Sequence, residues 1–393
     1  MIDGMSKVSI VIPNYNGKKF LSPCMSALKQ QTYTDFDVLI VDNGSEDGSA
    51  ELIRELEGSF PFPLRGIFLS ENTGFSGAVN AGIAEASGEY VILLNNDTEA
   101  EPGYVGALCA VLDADAEKRL FAVSPKMVQL YHKDLLDDAG DGYNLLGWGF
   151  QRGVGQPVTE RKFARKTEVF SACAGAAIYR RELLLSLALS GGSDRASAEE
   201  KAAYALRTPE AGEKAPRAVP ECFDLQHFAY LEDLDLCYRA RVQGYRIVYA
   251  PEAVVCHVGS GTSGSKYNAF KVRLAARNNV YLNYKNMPAL QLLLNLPFLL
   301  LGVFIKQLFF LRTGFGREYC SGFFEGVRTA AACRKTRFRL RNLPHYVGIE
   351  LWLIRDMFSY TGDVLRRKCR RQPALETEGH GSHHRRKKRL LFR

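Results

Sequence analysis

The stretch that decides the fold is VILLNNDTEAEP, residues 91–102. Its first four residues are apolar and begin with two β-branched side chains, a run too short for a buried helix and suited to a strand covered on both faces. The run then stops at two amides and a carboxylate, Asn95, Asn96 and Asp97. Two other runs share this shape, VSIVI at 8–12 and VLIV at 38–41, and they end in PNYNG at 13–17 and DNGSEDGS at 42–49. Helix-like stretches lie between the runs, with starts expected near Gly17, Glu46, Ser76 and Pro102, since proline suits a first helical turn where its missing N–H costs nothing. The alternation predicts an α/β fold with a mostly parallel sheet covered by helices on both faces. Ligands of such sheets bind at the carboxyl ends of the strands, so the three polar clusters are candidate walls of one crevice. Each cluster alone also suits an ordinary βα turn and helix cap; the signal is their joint occurrence.

The 393 residues, 46% hydrophobic and 24% charged, are enough for a real core and more than one domain. Nine cysteines show neither a C-x-x-C pair nor a short secreted framework, which suits a reducing compartment. The opening MIDGMSKVSIVIP runs into a strand without the features of a signal peptide, so a cytoplasmic location is expected. The net charge of +8 is unevenly spread. Residues 261–393 hold 26 Lys+Arg and 7 Asp+Glu, net +19, whereas residues 1–260 hold 25 and 36, net −11. The two parts face different partners. A nicotinamide dehydrogenase would need G-x-G-x-x-G after the first strand, which PNYNGKKF does not supply, and no Walker A lysine loop is present.

Five segments in order carry a resemblance: VSIVIPNYNG, VLIVDNGSEDGSAELI, ENTGFSGAVNAGIAEASGEYVILLNND, CAGAAIYRRELL and YLEDLDLCYRARVQGYRIVYAPEAVVCHVGSGTSG. Together, over residues 6–285, they resemble glycosyltransferase family 2, in particular its bacterial rhamnosyltransferase-like members. The resemblance implies a GT-A-type, Rossmann-like mixed sheet, a nucleotide-diphospho-sugar donor, Mn²⁺ or Mg²⁺, and inversion at the anomeric carbon. It implies that Asp42 accepts a hydrogen bond from the base, that Pro13, Tyr15 and Asn16 line the same pocket, and that Asn72, Gly74 and Asn80 close over the nucleotide. Where the family has an Asp-x-Asp-like metal motif, this chain has Asn95-Asn96-Asp97, all three expected at the nucleotide sugar, with Asp97 the metal ligand and the uncharged Asn95 binding a metal-held water or the ribose through its amide oxygen. Hard cations take oxygen ligands and retain water and phosphate oxygens around them. By the same resemblance His257 is a further ligand, and imidazole suits Mn²⁺ better than Mg²⁺. A lone histidine at a strand end is also an ordinary structural residue. Asp233 is expected as the catalytic base and Glu232 as the acceptor-orienting neighbour, the adjacent acids repelling and raising one pKa. Asp235 reads as a helix N-terminal charge, favoured electrostatically there. Gly175 and Ala176 are the small residues expected on the acceptor side.

The expected organisation is a catalytic domain at 1–285 (nucleotide-sugar half 1–115, acceptor half 116–285, polar insertion 190–220), a basic helical region at 286–370 and a basic tail at 371–393. The segment 288–311 is apolar and long enough for a bilayer at ~20 residues, although Asn295, Pro297 and Lys306 interrupt it. It reads as an interfacial or re-entrant helix, with a true span and a buried core hairpin as alternatives. Basic segments with interleaved Phe and Leu, such as CRKTRFRLRN at 333–342, suit an anionic membrane surface. No nucleic-acid module accompanies them. The sequence thus predicts a membrane-associated glycosyltransferase acting on a lipid-linked saccharide, or, because Asn95 lacks a charge, a nucleotide-sugar-binding scaffold without turnover.

Overall fold

The computed structural model describes residues 6–189, 219–259 and 267–370, with side chains up to residue 366. The expected tail lies outside the described residues, as does nearly all of the expected insertion. In chain order the elements begin β1 (Val8–Asn14), α1 (Lys18–Lys29), β2 (Phe36–Asn43), α2 (Ser49–Ser59), β3 (Leu64–Leu69), α3 (Gly74–Glu85), β4 (Tyr90–Leu93), β5 (Thr98–Ala100) and α4 (Tyr104–Asp113). Six strands and a short helix follow: β6 (Leu120–Gln129), β7 (His132–Asp138), β8 (Asp141–Tyr143), β9 (Gly149–Gln151), β10 (Thr167–Glu168), β11 (Ile178–Arg180) and α5 (Arg181–Ser186). Last come α6 (Glu232–Val242), β12 (Arg246–His257) and four helices, α7 (Ala269–Asn286), α8 (Ala289–Thr313), α9 (Gly316–Thr329) and α10 (Leu343–Arg370).

The main sheet runs β10-β12-β6-β11-β4-β1-β2-β3, with β5 paired to β12 and β7 to β6. β1 lies parallel between β2 and β4, and β11 enters antiparallel between β4 and β6. The expected mixed, doubly covered sheet is therefore present. Its strands are apolar on both faces for a visible reason: Val8, Ile10 and Ile12 of β1 pack with α1 and α4, while Val11 points the other way toward α3. Because β1 has a parallel neighbour on each side, the loops after β1, β2 and β4 open at one edge of the sheet.

The C-terminal helices wrap this sheet. Gly322 and Gly326 of α9 face the backbone carbonyls of Arg273 and Arg277, where an added Cβ would collide, so the two glycines let α9 lie directly on α7. α8 is continuous through Asn295 and Pro297, and most of its apolar surface is exposed, which rules out the buried-hairpin alternative. The reading of Asp235 is also corrected. Its carboxylate is fully buried, 3.0 Å from Lys285 and 3.1 Å from Arg239, and accepts from Asn286 at 2.8 Å. Lys285 also pairs with buried Asp224. Asp235 is thus one anion in a satisfied interior network, whose cations hold its carboxyl well below the usual range against burial that raises it.

Candidate active site

The first wall of the crevice is a chain of side chains at the strand ends. Asn14, the last residue of β1, donates from Nδ2 to Asp42 Oδ1 at 2.9 Å and accepts at Oδ1 from Asn96 Nδ2 at 2.7 Å. Asp42 accepts a second bond from the Ser45 backbone N–H at 3.2 Å. All three side chains are buried, so one amide ties the ends of β1 and β2 to the loop after β4. Sequence reasoning quoted Asn14 without assigning it a role; its signal was the even spacing that puts it on the same face as Ile10 and Ile12. Pro13 is half-buried, and Tyr15 and Asn16 lie exposed at the mouth. Asn16 adopts φ +49° and fastens the β2–α2 loop, accepting from the Glu46 N–H at 2.8 Å. Buried Asn43, also unassigned from sequence, holds the next loop: it donates to Asn72 Oδ1 at 3.0 Å and accepts from the Thr73 N–H at 2.9 Å. Gly74 takes φ +75°, with the carbonyl and ring of Phe228 where a side chain would stand.

Two expected positions are placed otherwise. Asn80 is buried and spends both ends of its amide on the backbone of Phe223, at 2.7 and 2.9 Å, leaving it no face for a nucleotide. Ala176 is wholly buried, and its carbonyl accepts from Tyr104 OH at 2.5 Å, so its smallness serves the core and not an acceptor. Gly175 is buried as well. Its carbonyl accepts from the Asn95 N–H at 2.8 Å, and a side chain there would meet the Asn95 amide.

The second wall is the candidate metal centre. β12 pairs antiparallel with β5, setting His257 opposite Thr98, and this brings His257 Nε2 to 3.3 Å from Asp97 Oδ1. The other ring nitrogen, Nδ1, lies 2.8 Å from Asp137 Oδ2 at the end of β7. Burial alone would lower the imidazole pKa; the hydrogen bonds to Asp137 and Asp97 reverse this and push it up to about 10. A carboxylate on one imidazole nitrogen and a second acidic ligand beside the other is the usual preparation of a histidine for a divalent cation. With Nε2 deprotonated, Asp97 and His257 offer oxygen and nitrogen donors that fit Mn²⁺ or Mg²⁺, and the Asp137 carboxylate places negative charge behind the ring. Burial lowers the pKa of Lys271 on α7 and the charge of Asp97 offsets this only in part, so an amine lies within electrostatic reach of the same site. An open cavity of about 580 Å³ lies beside Asn96 and Asp97, walled by Lys19, Phe20 and Tyr131.

The third wall carries the acids. Asp233 sits in the first turn of α6, its Oδ1 accepting from the Leu234 N–H at 2.7 Å and its Oδ2 from the Ala174 N–H at 3.3 Å. Glu232 is buried and its Oε2 has no hydrogen-bond partner among the described residues. Both carboxyls are raised, Glu232 well above the usual range. The main cause is burial; repulsion from Asp233 adds to it at Glu232, so the expected mutual repulsion is the lesser effect. Asp141 of β8 brings a carboxylate to within 4.8 Å of those of Asp233 and the Cys173 thiol. Its carboxyl is likewise held well up, by burial first and then by Asp138 and Asp233. The backbone before this pair is strained: Phe228, Tyr230 and Leu231 all take positive φ, at 62°, 70° and 67°. Asn278 of α7 holds it, donating from one amide to the carbonyls of His227, Ala229 and Tyr230 at 2.8, 2.9 and 2.8 Å.

The doubly covered mixed sheet, with the loops after β1, β2 and β4 opening at one edge, is a GT-A-type fold. The sequence model of glycosyl transferase family 2 matches residues 9–187. Over that segment, just under half of the chain, the protein is similar to glycosyl transferase family 2. An uncharacterized glycosyltransferase of Nostoc sp. is 34% identical over 131 residues, which is 33% of this chain and 38% of that one. The undecaprenyl-phosphate 4-deoxy-4-formamido-L-arabinose transferase of Aeromonas hydrophila is 38% identical over 98 residues, 24% of this chain and 30% of that one. The chain thus spans well under half the length of these curated relatives. Among solved structures, GalNAc-T7 with UDP, GalNAc and Mn²⁺ matches with a TM-score of 0.51 at 14% identity, covering 71% of this chain and 48% of that chain, a likeness of fold.

Proposed function

We propose that this protein is an inverting, divalent-metal-dependent glycosyltransferase that moves a hexose from a nucleotide diphosphate to a lipid-linked saccharide at the cytoplasmic face of a membrane. The observation that carries the reading is the Asp97–His257–Asp137 arrangement, which follows directly on the Asn96 amide bonded to the Asn14–Asp42 wall. Asp42 would receive the base, with Tyr15 and Asn16 at the mouth and Asn72 and Gly74 bordering it. Asp97 and His257 would hold Mn²⁺ or Mg²⁺, which supplies positive charge to the diphosphate leaving group. Lys271 adds an amine to the same end. Asp233, anchored by two backbone N–H groups, would take the acceptor hydroxyl's proton while the acceptor oxygen bonds to the anomeric carbon and the bond to the diphosphate breaks. Buried Glu232 would keep its proton and orient the acceptor by donating a hydrogen bond.

The resemblance makes deoxythymidine-diphospho-rhamnose the first donor to test, followed by other nucleotide hexoses and galactofuranose. A lipid-linked acceptor is supported by the undecaprenyl-phosphate relative and by the exposed apolar helix. The test is transfer and donor hydrolysis across a nucleotide-sugar panel, with and without Mn²⁺ or Mg²⁺, for wild type, Asp233→Asn and Asp97→Asn. Metal-dependent turnover of one donor, abolished in Asp233→Asn while nucleotide still binds, is the expected result. Binding of every donor without turnover, lipid-linked acceptors included, would replace the enzyme with the non-catalytic scaffold.

A further inference from the structure

We propose that α8 and α10 lie flat in one leaflet of an anionic bilayer and that α8 does not cross it. This deepens the membrane part of the reading above and stands apart from the transfer chemistry. α8 is the one helix among the described residues long and apolar enough to span. Its 25 residues reach about 37 Å, against a hydrocarbon core of about 30 Å. Two opposite faces decide between crossing and lying down.

The outer face is bare. Leu290 and Leu293 are 69% and 66% exposed, and Leu301, Phe304 and Leu308 continue the same stripe. The inner face is fastened to the rest of the molecule along nearly the whole helix. Gln291 and Asn295 both donate to Glu350 of α10, at 2.8 and 2.9 Å. Further along, Trp148 at the β8–β9 turn donates to the Gly302 carbonyl at 3.3 Å, and Gly302 has no Cβ because Leu146 presses against it. Near the far end Gln307 donates to the Gly316 carbonyl at 3.1 Å and Phe310 stacks on Tyr319 at 5.2 Å. A crossing α8 would carry Glu350 and the β8–β9 hairpin into hydrocarbon, where open hairpin edges and unmatched charges are costly. Lying in the interface satisfies both faces at once.

α10 supplies a second stripe. Leu343, Val347, Leu351, Ile354 and Phe358 recur at helical spacing and are all exposed, Phe358 by 74%, while Tyr346, Ile349 and Leu353 pack inward. Phe338 and Leu340, also exposed, lie in the connection before it. Arg328, Lys335, Arg337, Arg339 and Arg341 fall in the same region, where Glu350 is the sole acid between residues 328 and 355. Apolar surface of this extent is unusual on a soluble monomer. The cations select its cover: an anionic leaflet attracts each by about 1 kcal/mol, whereas a second copy of this face would set like charges against each other. The arrangement also orients the site. The hairpin that rests on α8 through Trp148 begins at Asp141, beside Asp233, so the acceptor side of the crevice opens toward the lipid plane.

The test uses the full chain with a different epitope at each terminus. Flotation with vesicles of phosphatidylglycerol and phosphatidylcholine is expected, with binding at least tenfold weaker to phosphatidylcholine alone and for Leu351→Ser/Phe358→Ser. These side chains are exposed, so circular dichroism of the variant should match wild type. In inverted membrane vesicles protease should remove both epitopes, and in spheroplasts neither. Epitopes on opposite sides would overturn the flat placement. A protein that stays unbound to every vesicle as a soluble dimer would overturn the lipid surface itself. Neither readout involves transfer, so failure here and failure of the transferase reading are separable.

Discussion

Replacing Asn278 with alanine probes the link between scaffold and chemistry most sharply. Its buried amide donates to three carbonyls, those of His227, Ala229 and Tyr230, all within 2.9 Å, of which the His227 carbonyl also accepts from Arg277 at 3.3 Å and from the Ala229 N–H at 2.7 Å. Each carbonyl that loses its side-chain donor costs on the order of 1 kcal/mol, so Asn278→Ala, which strips the Ala229 and Tyr230 carbonyls, should lower stability by about 2 kcal/mol. The loop it holds contains three non-glycine residues at positive φ, each strained by roughly 1–3 kcal/mol, and that strain favours relaxation once the amide is gone. Leu231, the last of them, directly precedes Glu232 and Asp233, so relaxation shifts the acids. A displacement of about 1 Å at a reacting group costs on the order of 10²-fold in rate. The expected result is a urea midpoint lowered in proportion to the ~2 kcal/mol and a kcat down about 100-fold, with the donor KM changed far less than kcat because the bonds to Asp42 come from Asn14 and the Ser45 N–H. Tyr230→Gly separates positioning from stability, since glycine adopts φ 70° without strain: it should keep the urea midpoint within about 1 kcal/mol of wild type and still lose kcat. Wild-type kcat in both variants would refute the reasoning, whatever happens to stability.

Two further outcomes follow from buried electrostatics. His227 has its pKa lowered to about 4 from the ordinary 6.5, by burial first and then by Lys285. Between pH 6.5 and 4 the unfolded chain therefore takes up a proton that the native one refuses, and stability falls with pH. Other buried acids, Asp138 among them with a pKa of about 7, contribute the opposite slope, so the readout is the difference from His227→Gln. That difference should shift by about 3 kcal/mol against the wild type on going from pH 7 to pH 4, and parallel urea-midpoint curves would disprove it. At the proposed cation centre, Asp137→Asn removes the carboxylate on His257 Nδ1 while leaving Asp97 and His257 in place; Mn²⁺ affinity by calorimetry should fall 10- to 100-fold, and an unchanged affinity would remove His257 from the proposed ligands.

Much of this architecture was legible because its signals are local. Apolar runs at 8–12, 38–41 and 91–94 became β1, β2 and β4, and helix starts fell within a few residues of their cues. Asp97, His257 and Asp233 were picked out by their place in family motifs; the structure sets His257 Nε2 3.3 Å from Asp97 and ties Asp233 to the Ala174 N–H. What escaped was carried by partners distant in sequence. Asp137 is 120 residues from the histidine it orients, and nothing in HKDLLDD says which of its acids will face another strand. Asp141 meets Asp233 only because a hairpin folds over α6, and Asn80 and Ala176 were assigned to ligands when burial gave them to the backbone and the core.

Sequence alone therefore determined the class of fold, the strand ends that build the crevice, and the amphipathic and basic character of the last hundred residues. These follow from periodicity, turn chemistry and charge, which act over a few residues. Tertiary structure decided which acids share a site, which helix-start carboxylate is a reactive candidate and which a buried structural anion, and which face of α8 is free. Those outcomes depend on desolvation and on charges brought within a few ångströms by β-pairing and helix packing, and neither exists until the chain has closed on itself.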